Sequence, residues 1–331
     1  MQAVLLIKFV YIERRMTKKI LGIGNAIVDV FSHVEDDFLK KNNLVKGSMK
    51  LLDKQEFLKL KELIKIEKTL AGGSVANTMA GITYLGGLSS FIGKINDDEF
   101  GMLYKKSLKD SNVNFIYEVK DENLHTGACI VLITPDSERT MCTYLGISSQ
   151  LSVDDLDENK FKNHKLIFLE GYLWDKGLSE RMFKNAIKFS KKNNIEIAMT
   201  LSDIFCVKRH KVEFLDLLKN DLDILIGNEN EINELMKEDN LIESINKLKN
   251  FNKLIVITRS ESGSVAVQKG NVFTCESHKV SKVVDLTGAG DLFASGFLKE
   301  YINGSGMDKC LKNGSYIAGQ IIQKVGARLE I

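Results

Sequence analysis

An aspartate that follows two glycines at the head of an apolar helix is the arrangement in this chain best suited to chemistry. In V-V-D-L-T-G-A-G-D-L-F-A-S-G-F-L, residues 283–298, Val283 and Val284 read as the end of a strand. Residues 285–290 read as a tight turn, and Asp291 onward as a helix. First-turn N–H groups lack intrahelical partners, and the helix dipole adds partial positive charge there, so the N–H groups of Gly288, Ala289, Gly290 and Asp291 form a ready anion cradle. The glycines let a phosphate approach the backbone closely. A carboxylate beside a bound phosphate is repulsive unless it has a task, and deprotonating an attacking alcohol is the task that fits Asp291. The plain alternative is a helix-start carboxylate that contributes about 0.3–1 kcal/mol.

No Lys follows these glycines, and no G-x-G-x-x-G run is present, which excludes the common triphosphatase loop and the dinucleotide fingerprint. The stretch resembles the D-T-x-G-A-G-D signature of the ribokinase-like (PfkB) carbohydrate kinases, a family that includes adenosine kinases, ribokinases and fructokinases. It departs from that signature at Leu286, where Thr is usual. A second signature is similar to L-A-G-G-S-V-A-N at residues 70–77. The resemblance implies that Gly72, Gly73 and Asn77 bind hydroxyls of the acceptor. Read on its own, the segment is a helix start with Asn77 on the surface.

Asn25 and Asp29 interrupt the apolar run of residues 20–30, which reads as one buried strand. Polar groups there either leave the sheet for a cleft and hold substrate, or merely mark a turn and a strand end. Asn228 and Glu231 are similar to the family's N-x-x-E motif, whose Glu organises water around Mg²⁺ on ATP, as a hard cation favours. A helix cap would explain the same letters. The resemblance further assigns Thr258, Arg259 and Gly263 to the nucleotide, Asn313 to the adenine pocket, and Gly326-Ala327-Arg328 to the family's terminal motif. Arg139, in S-E-R-T, is placed to neutralise charge on the transferred phosphate, or else pairs at the surface with Glu138.

The composition frames this reading. With 331 residues, 44% hydrophobic and 27% charged, the chain has ample material for a core. A net charge of +2 argues against nucleic acid or a membrane surface as partner. Five scattered Cys residues without a C-x-x-C pair read as reduced thiols of a cytoplasmic protein, and no His is assigned to catalysis. Residues 1–15 are too short a run to span a bilayer and carry their charge after the apolar stretch, unlike a secretory signal. They read as a non-structural extension, with Met16 opening a single domain over residues 16–331.

The elements that must position these groups follow two patterns. From residue 166 onward strands and helices alternate, which implies a parallel sheet with ligands at strand C-terminal ends. Residues 113–146 instead hold short strands at 116–119, 126–134 and 139–145. Together with strands in residues 30–52 they form a small β-sheet lid. The expected fold is thus a three-layer αβα ribokinase-like domain with a mostly parallel central sheet and an inserted lid. Tyr172 and Trp174, just past a strand, pack the hinge or stack on a base.

The expected reaction is transfer of the γ-phosphoryl group of ATP, with Mg²⁺ and in some family members K⁺, to a primary hydroxyl. Residues 45–53 and the S-E-R-T segment resemble the adenosine-kinase-like branch, implying the 5′-hydroxyl of a ribonucleoside. A free-sugar kinase is the main alternative, and a non-catalytic nucleoside-binding regulator a further one. A monomer and a lid-mediated homodimer both remain open.

Overall fold

A computed structural model describes residues 19–119, 123–136, 138–175 and 179–329. The expected extension, residues 1–15, and the start at Met16 lie outside the described residues. The N-terminal part runs β1 (Lys19–Ile23), β2 (Ile27–His33), α1 (Asp36–Lys41), β3 (Met49–Leu51), α2 (Lys54–Leu63), β4 (Lys68–Ala71), α3 (Ser74–Tyr84), β5 (Leu88–Ile92), α4 (Glu99–Asp110), β6 (Asn114–Phe115), β7 (Gly127–Ile133) and β8 (Arg139–Tyr144). The remainder runs β9 (Leu166–Glu170), α5 (Ser179–Lys192), β10 (Glu196–Thr200), α6 (Ile204–Asn220), β11 (Ile224–Asn228), α7 (Glu229–Met236), α8 (Leu241–Leu248), β12 (Leu254–Thr258), β13 (Ser264–Gln268), β14 (Asn271–Cys275), α9 (Ala289–Ile302) and α10 (Met307–Ile321).

Nine strands form the large sheet, in the order β14-β13-β12-β11-β10-β9-β1-β5-β6. All pairs are parallel except β12–β13 and β13–β14. Its strands are apolar on both faces because helices cover both. Leu21, Ile167 and Ile255 pack one way against Phe183, Phe214 and Leu235 of α5–α7. Ile20, Phe168 and Val256 pack the other way against Met79, Tyr104 and Phe297 of α3, α4 and α9. The expected three layers are therefore present.

The second sheet is the lid, ordered β3-β8-β7-β2-β4. Its outer face, with Val30, Ile130 and Leu132, is covered by Leu39 of α1 and by Phe57 and Leu60 of α2. The helix α2 is started by a capping box: Asp53 accepts from Glu56 N–H at 2.8 Å while Glu56 accepts from Asp53 N–H at 3.0 Å.

Three expectations need correction. Residues 20–30 are two strands in different sheets, since the chain leaves the large sheet after Ile23 and enters the lid at Ile27. No strand occupies residues 116–119; the short β6 pairs with β5 in the large sheet, and β4 supplies a lid strand instead. Val283 and Val284 are not a strand end. They are 52% and 43% exposed, and the N–H groups of Val284 and Asp285 bond to Ile322 O at the end of α10. No helix among the described residues is long and apolar enough to cross a membrane.

Candidate active site

The parallel strands β1, β9, β11 and β12 all point their C-terminal ends to one edge, so residues 24–25, Glu170, Asn228 and Thr258 share a cleft rim. Helix α9 is aimed at it. Its N-cap is Gly288, held in the left-handed region at φ +77°. A Cβ there would lie 2.7 Å from the Cα and Cβ of Ala327. Gly288→Ala therefore meets both a left-handed penalty of about 1–2 kcal/mol and a backbone collision. We expect its urea midpoint to fall measurably, whereas Gly290→Ala, where nothing lies within 4 Å of an added Cβ, leaves it nearly unchanged.

Asp291 sits in the first turn of α9 and faces helix α3. Ser74 Oγ donates to Asp291 Oδ1 at 2.7 Å and Asn77 Nδ2 to Oδ2 at 3.0 Å. Thr78 Oγ1 donates to the Asp291 carbonyl at 3.1 Å. The two helices approach this closely because Gly81 faces Ser295, with room for no Cβ. Burial pushes the Asp291 carboxyl up from its ordinary pKa, against the Ser74 and Asn77 hydrogen bonds and the charge of Arg328. That shift carries a carboxylate toward the range useful to a general base at neutral pH.

A second part of the cleft is assembled from the crossover between the two sheets. Glu170 receives the N–H of Asn25 at 2.7 Å and of Val75 at 3.2 Å, which ties the crossover to the start of α3. Gly72 meets Asp29, whose Oδ2 would be 2.3 Å from an added Cβ, and Gly73 adopts φ +86° with an added Cβ 2.5 Å from Asn25 O. The five residues Asn25, Asp29, Gly72, Gly73 and Asn77 thus lie together, and Asn77 is buried rather than on the surface.

Burial drives the carboxyls of Asp29, Glu170 and Glu231 each to about 7. All three bind protons more readily folded than unfolded. Their contribution to stability is therefore fully present below about pH 4 and is lost as pH rises toward and through 7. The ligand-free protein is expected to melt at falling temperature between pH 5 and pH 8, and Asp29→Asn to flatten that profile. A wild-type slope equal to that of the variant would rule out the Asp29 share.

Arg139 reaches from lid strand β8 to the loop before α9. Its Nη2 pairs with Asp285 Oδ1 at 2.7 Å and its Nη1 donates to Thr287 Oγ1, so the surface pairing with Glu138 is not what the lid uses. Asp285 also accepts from Thr287 N–H at 2.7 Å and Gly326 N–H at 2.8 Å. Burial pushes the Asp285 carboxyl up, yet these bonds outweigh it and hold it below its ordinary value.

On the other side of the rim, Asn228 and Glu231 form a capping box for α7. Asn228 N–H and Nδ2 donate to Glu231 at 2.9 and 2.6 Å, and Glu231 N–H donates to Asn228 Oδ1 at 2.9 Å. The cap and the buried carboxyl are one arrangement. Thr258 pairs in register with Asn228, and Arg259 Nε donates to Glu229 Oε2 at 2.9 Å. Gly263 at φ +86° turns the chain back, with an added Cβ only 2.0 Å from Cys275 O. Asn313 is turned to a neighbouring helix, its Nδ2 donating to Gly296 O at 3.0 Å.

Trp174 stacks edge-on against Phe183 at 4.8 Å, and Tyr172 packs on the same core, so both serve the hinge as packing. Nearby, Asp175, Cys206 and His210 offer ligand atoms within 4.8 Å of one another. Both oxygens of Asp175 are already taken, by Arg209 at 2.8 and 2.7 Å and by His210 at 2.8 Å, which makes this an ion-paired knot.

Reasoning from sequence passed over Ser74, Glu170 and Arg328 as members of the cleft. Ser74 stands beside a glycine pair already singled out. Glu170 ends the apolar run L-I-F-L-E, an ionisable residue closing an apolar strand, and Arg328 stands in the terminal Gly326-Ala327-Arg328 motif, which carries no sign of where its side chain goes.

Residues 42–331 match the family model described as pfkB family carbohydrate kinase. The chain belongs to the pfkB family. Its architecture is similar to that of adenosine kinase from Sinorhizobium meliloti, with a TM-score of 0.90 and 34% identity, covering 95% of this chain and 97% of that one. Adenosine kinase 2 of Arabidopsis thaliana is 25% identical over 333 residues, 93% of this chain and 94% of the relative. A 5-dehydro-2-deoxygluconokinase of Halalkalibacterium halodurans is 31% identical over 265 residues, 76% of this chain and 80% of the relative. As a pfkB-family member the chain is a phosphotransferase with an alcohol group as acceptor, a nucleoside or sugar kinase that uses ATP with a divalent metal ion.

Proposed function

We propose that this pfkB kinase phosphorylates the 5′-hydroxyl of a ribonucleoside such as adenosine, with Asp291 as general base. The observation that carries the reading is the Asp291 carboxyl, fixed by Ser74 and Asn77 in the first turn of α9, whose N-cap Gly288 supplies no side-chain cap. Asn25, Asp29, Gly72, Gly73 and Asn77 hold the acceptor hydroxyls in this reading. The N–H groups of Gly288, Ala289 and Gly290 stabilise charge on the transferred group, and Arg139 adds positive charge from the lid.

The inner lid face supports a nucleoside. Side chains alternate along a strand, so Ile27, Asp29 and Phe31 of β2 share one face. Cys129 and Val131 join Ile27 and Phe31 in an apolar cluster, with Leu70 and Ile133 packed on it. These four side chains are buried while Leu70 and Ile133 at their edge are only partly so, and a base would find that apolar edge beside the carboxylate that takes its ribose. The names of the adenosine kinase relatives favour the same acceptor.

Asn228 and Glu231 suit water-mediated contact with Mg²⁺ on the ATP phosphates, a hard cation that keeps several waters. Bound there, the ion would neutralise phosphate charge. Thr258, Arg259, Gly263 and Asn313 line the nucleotide side in this reading, and K⁺ is a candidate activator. A free-sugar kinase is the second reading, favoured by the 5-dehydro-2-deoxygluconokinase relative. ATP consumption with Mg²⁺ and K⁺ across adenosine, guanosine, inosine, ribose, fructose and 2-keto-3-deoxygluconate tests both. Micromolar turnover of a nucleoside supports the first reading; turnover of a free sugar alone overturns it.

A further inference from the structure

Arg328 lies beyond α10 and runs its guanidinium into the cleft. Its Nε donates to Asn77 Oδ1 at 2.9 Å, Nη1 to Ser107 Oγ at 2.8 Å and Nη2 to Gly72 O at 2.9 Å. The guanidinium also stands 5.6 Å from the centre of the Tyr104 ring. It therefore touches both the glycine turn and the side chain that donates to Asp291.

We infer that Arg328 is a positioning residue: by donating to Asn77 Oδ1 it fixes that amide so that its N–H, and never its carbonyl, faces Asp291. The inference rests on the proposed role of Asp291 as base, but its geometric content does not. A guanidinium can only donate and a carboxylate can only accept, so an amide bridging the two has a single allowed orientation. Without the arginine only the carboxylate holds the amide, and the flipped state, in which the amide oxygen accepts from a protonated Asp291, becomes accessible and favours proton uptake there. The three groups form a directed chain of hydrogen bonds from Arg328 through Asn77 to Asp291. The same arginine grips Gly72 O, so the glycine turn and the base move as one body.

Other charges also face Asp291. The charge of Asp291 raises the proton affinity of Asp29 on β2 and of Glu170 at the end of β9, while Arg328 lowers it for Asp29 and Asp291 alike; Arg139 and Asp285 act on Asp29 from the lid and the loop. A pure charge effect of Arg328 must therefore be separated from its effect through Asn77.

The test is a carbon-detected NMR titration of aspartate-labelled full chain, with Asp291→Asn assigning the signal. In Arg328→Met the Asp291 carboxyl is expected to titrate about 1 to 3 pH units higher. The rise is expected to be smaller when Asn77 is already Ala, because only direct charge is then lost. Equal rises in the two backgrounds would mean that Arg328 acts as a distant charge and would overturn the inference, as would no rise at all. Should Arg328→Met fail to fold, Arg328→Lys keeps the charge and loses the planar fork; a rise in its Asp291 titration supports positioning, and a wild-type titration overturns it. Acceptor turnover is read separately. A carboxyl that moves as expected in a protein that phosphorylates none of the acceptors would defeat the kinase reading of the site and leave the positioning role standing.

Discussion

Asp291→Asn is expected to lower kcat by about 10²–10⁴-fold while leaving the fold and ATP affinity in place. The substituted amide is well accommodated. Its oxygen can accept from Asn77 Nδ2, held in orientation by Arg328, and its nitrogen can donate to Ser74, whose hydroxyl accepts as readily as it donates. No buried donor is left opposite another donor. Because burial disfavours the ionised form of Asp291, a neutral replacement removes a penalty, and the variant should melt no lower than wild type at pH 8. Kinetics, nucleotide titration and thermal melts on one preparation decide the matter. Retained turnover removes the base role, and lost ATP binding would instead show that the carboxylate shapes the cradle.

Arg139→Met is expected to reduce kcat by about 10²–10³-fold, the usual cost of removing one donor aimed at developing charge. Met roughly keeps the side chain's length but removes the guanidinium that stands 5.9 Å from the centre of the Phe31 ring. What it removes is the lid's tie to Asp285 and Thr287, immediately before the glycines of α9. Asp285 keeps its two backbone donors, Thr287 and Gly326, and the loop should remain closed. The signature is a fall in kcat with nucleotide affinity nearly unchanged. A change below about threefold would assign Arg139 to holding the lid alone.

Sequence periodicity conveys the large sheet well and its interruptions poorly. Apolar runs such as L-I-V-I-T and the regular alternation with helices announce a parallel sheet, because burial on both faces leaves its mark locally. The break within residues 20–30 is marked only by Gly24, Asn25 and Asp29, which do not say that the chain changes sheets. It is made by Glu170, which captures the Asn25 N–H from 145 positions away, and no window of local sequence contains both partners. Val283 and Val284 mislead for the opposite reason, since β-branched residues suggest a strand while their N–H and neighbouring groups are drawn to the end of α10. In the glycine signatures Gly288 against Ala327 and Gly72 against Asp29 serve contacts that forbid a side chain, and a glycine so placed is readable as a letter in the sequence. The residues that orient these groups were not, because a lone Arg or Glu gains its meaning only from partners supplied by the fold.

The bond between Arg328 and Asn77 joins residues separated by 251 positions, and that between Asn77 and Asp291 by 214. A ribosome adding about 5–20 residues per second places Asn77 in the growing chain well before Asp291 and Arg328 exist to meet it. The lid strands and the first half of the sheet therefore exist, for tens of seconds at the slower rates, without the two partners that complete the hydrogen-bond chain through Asn77.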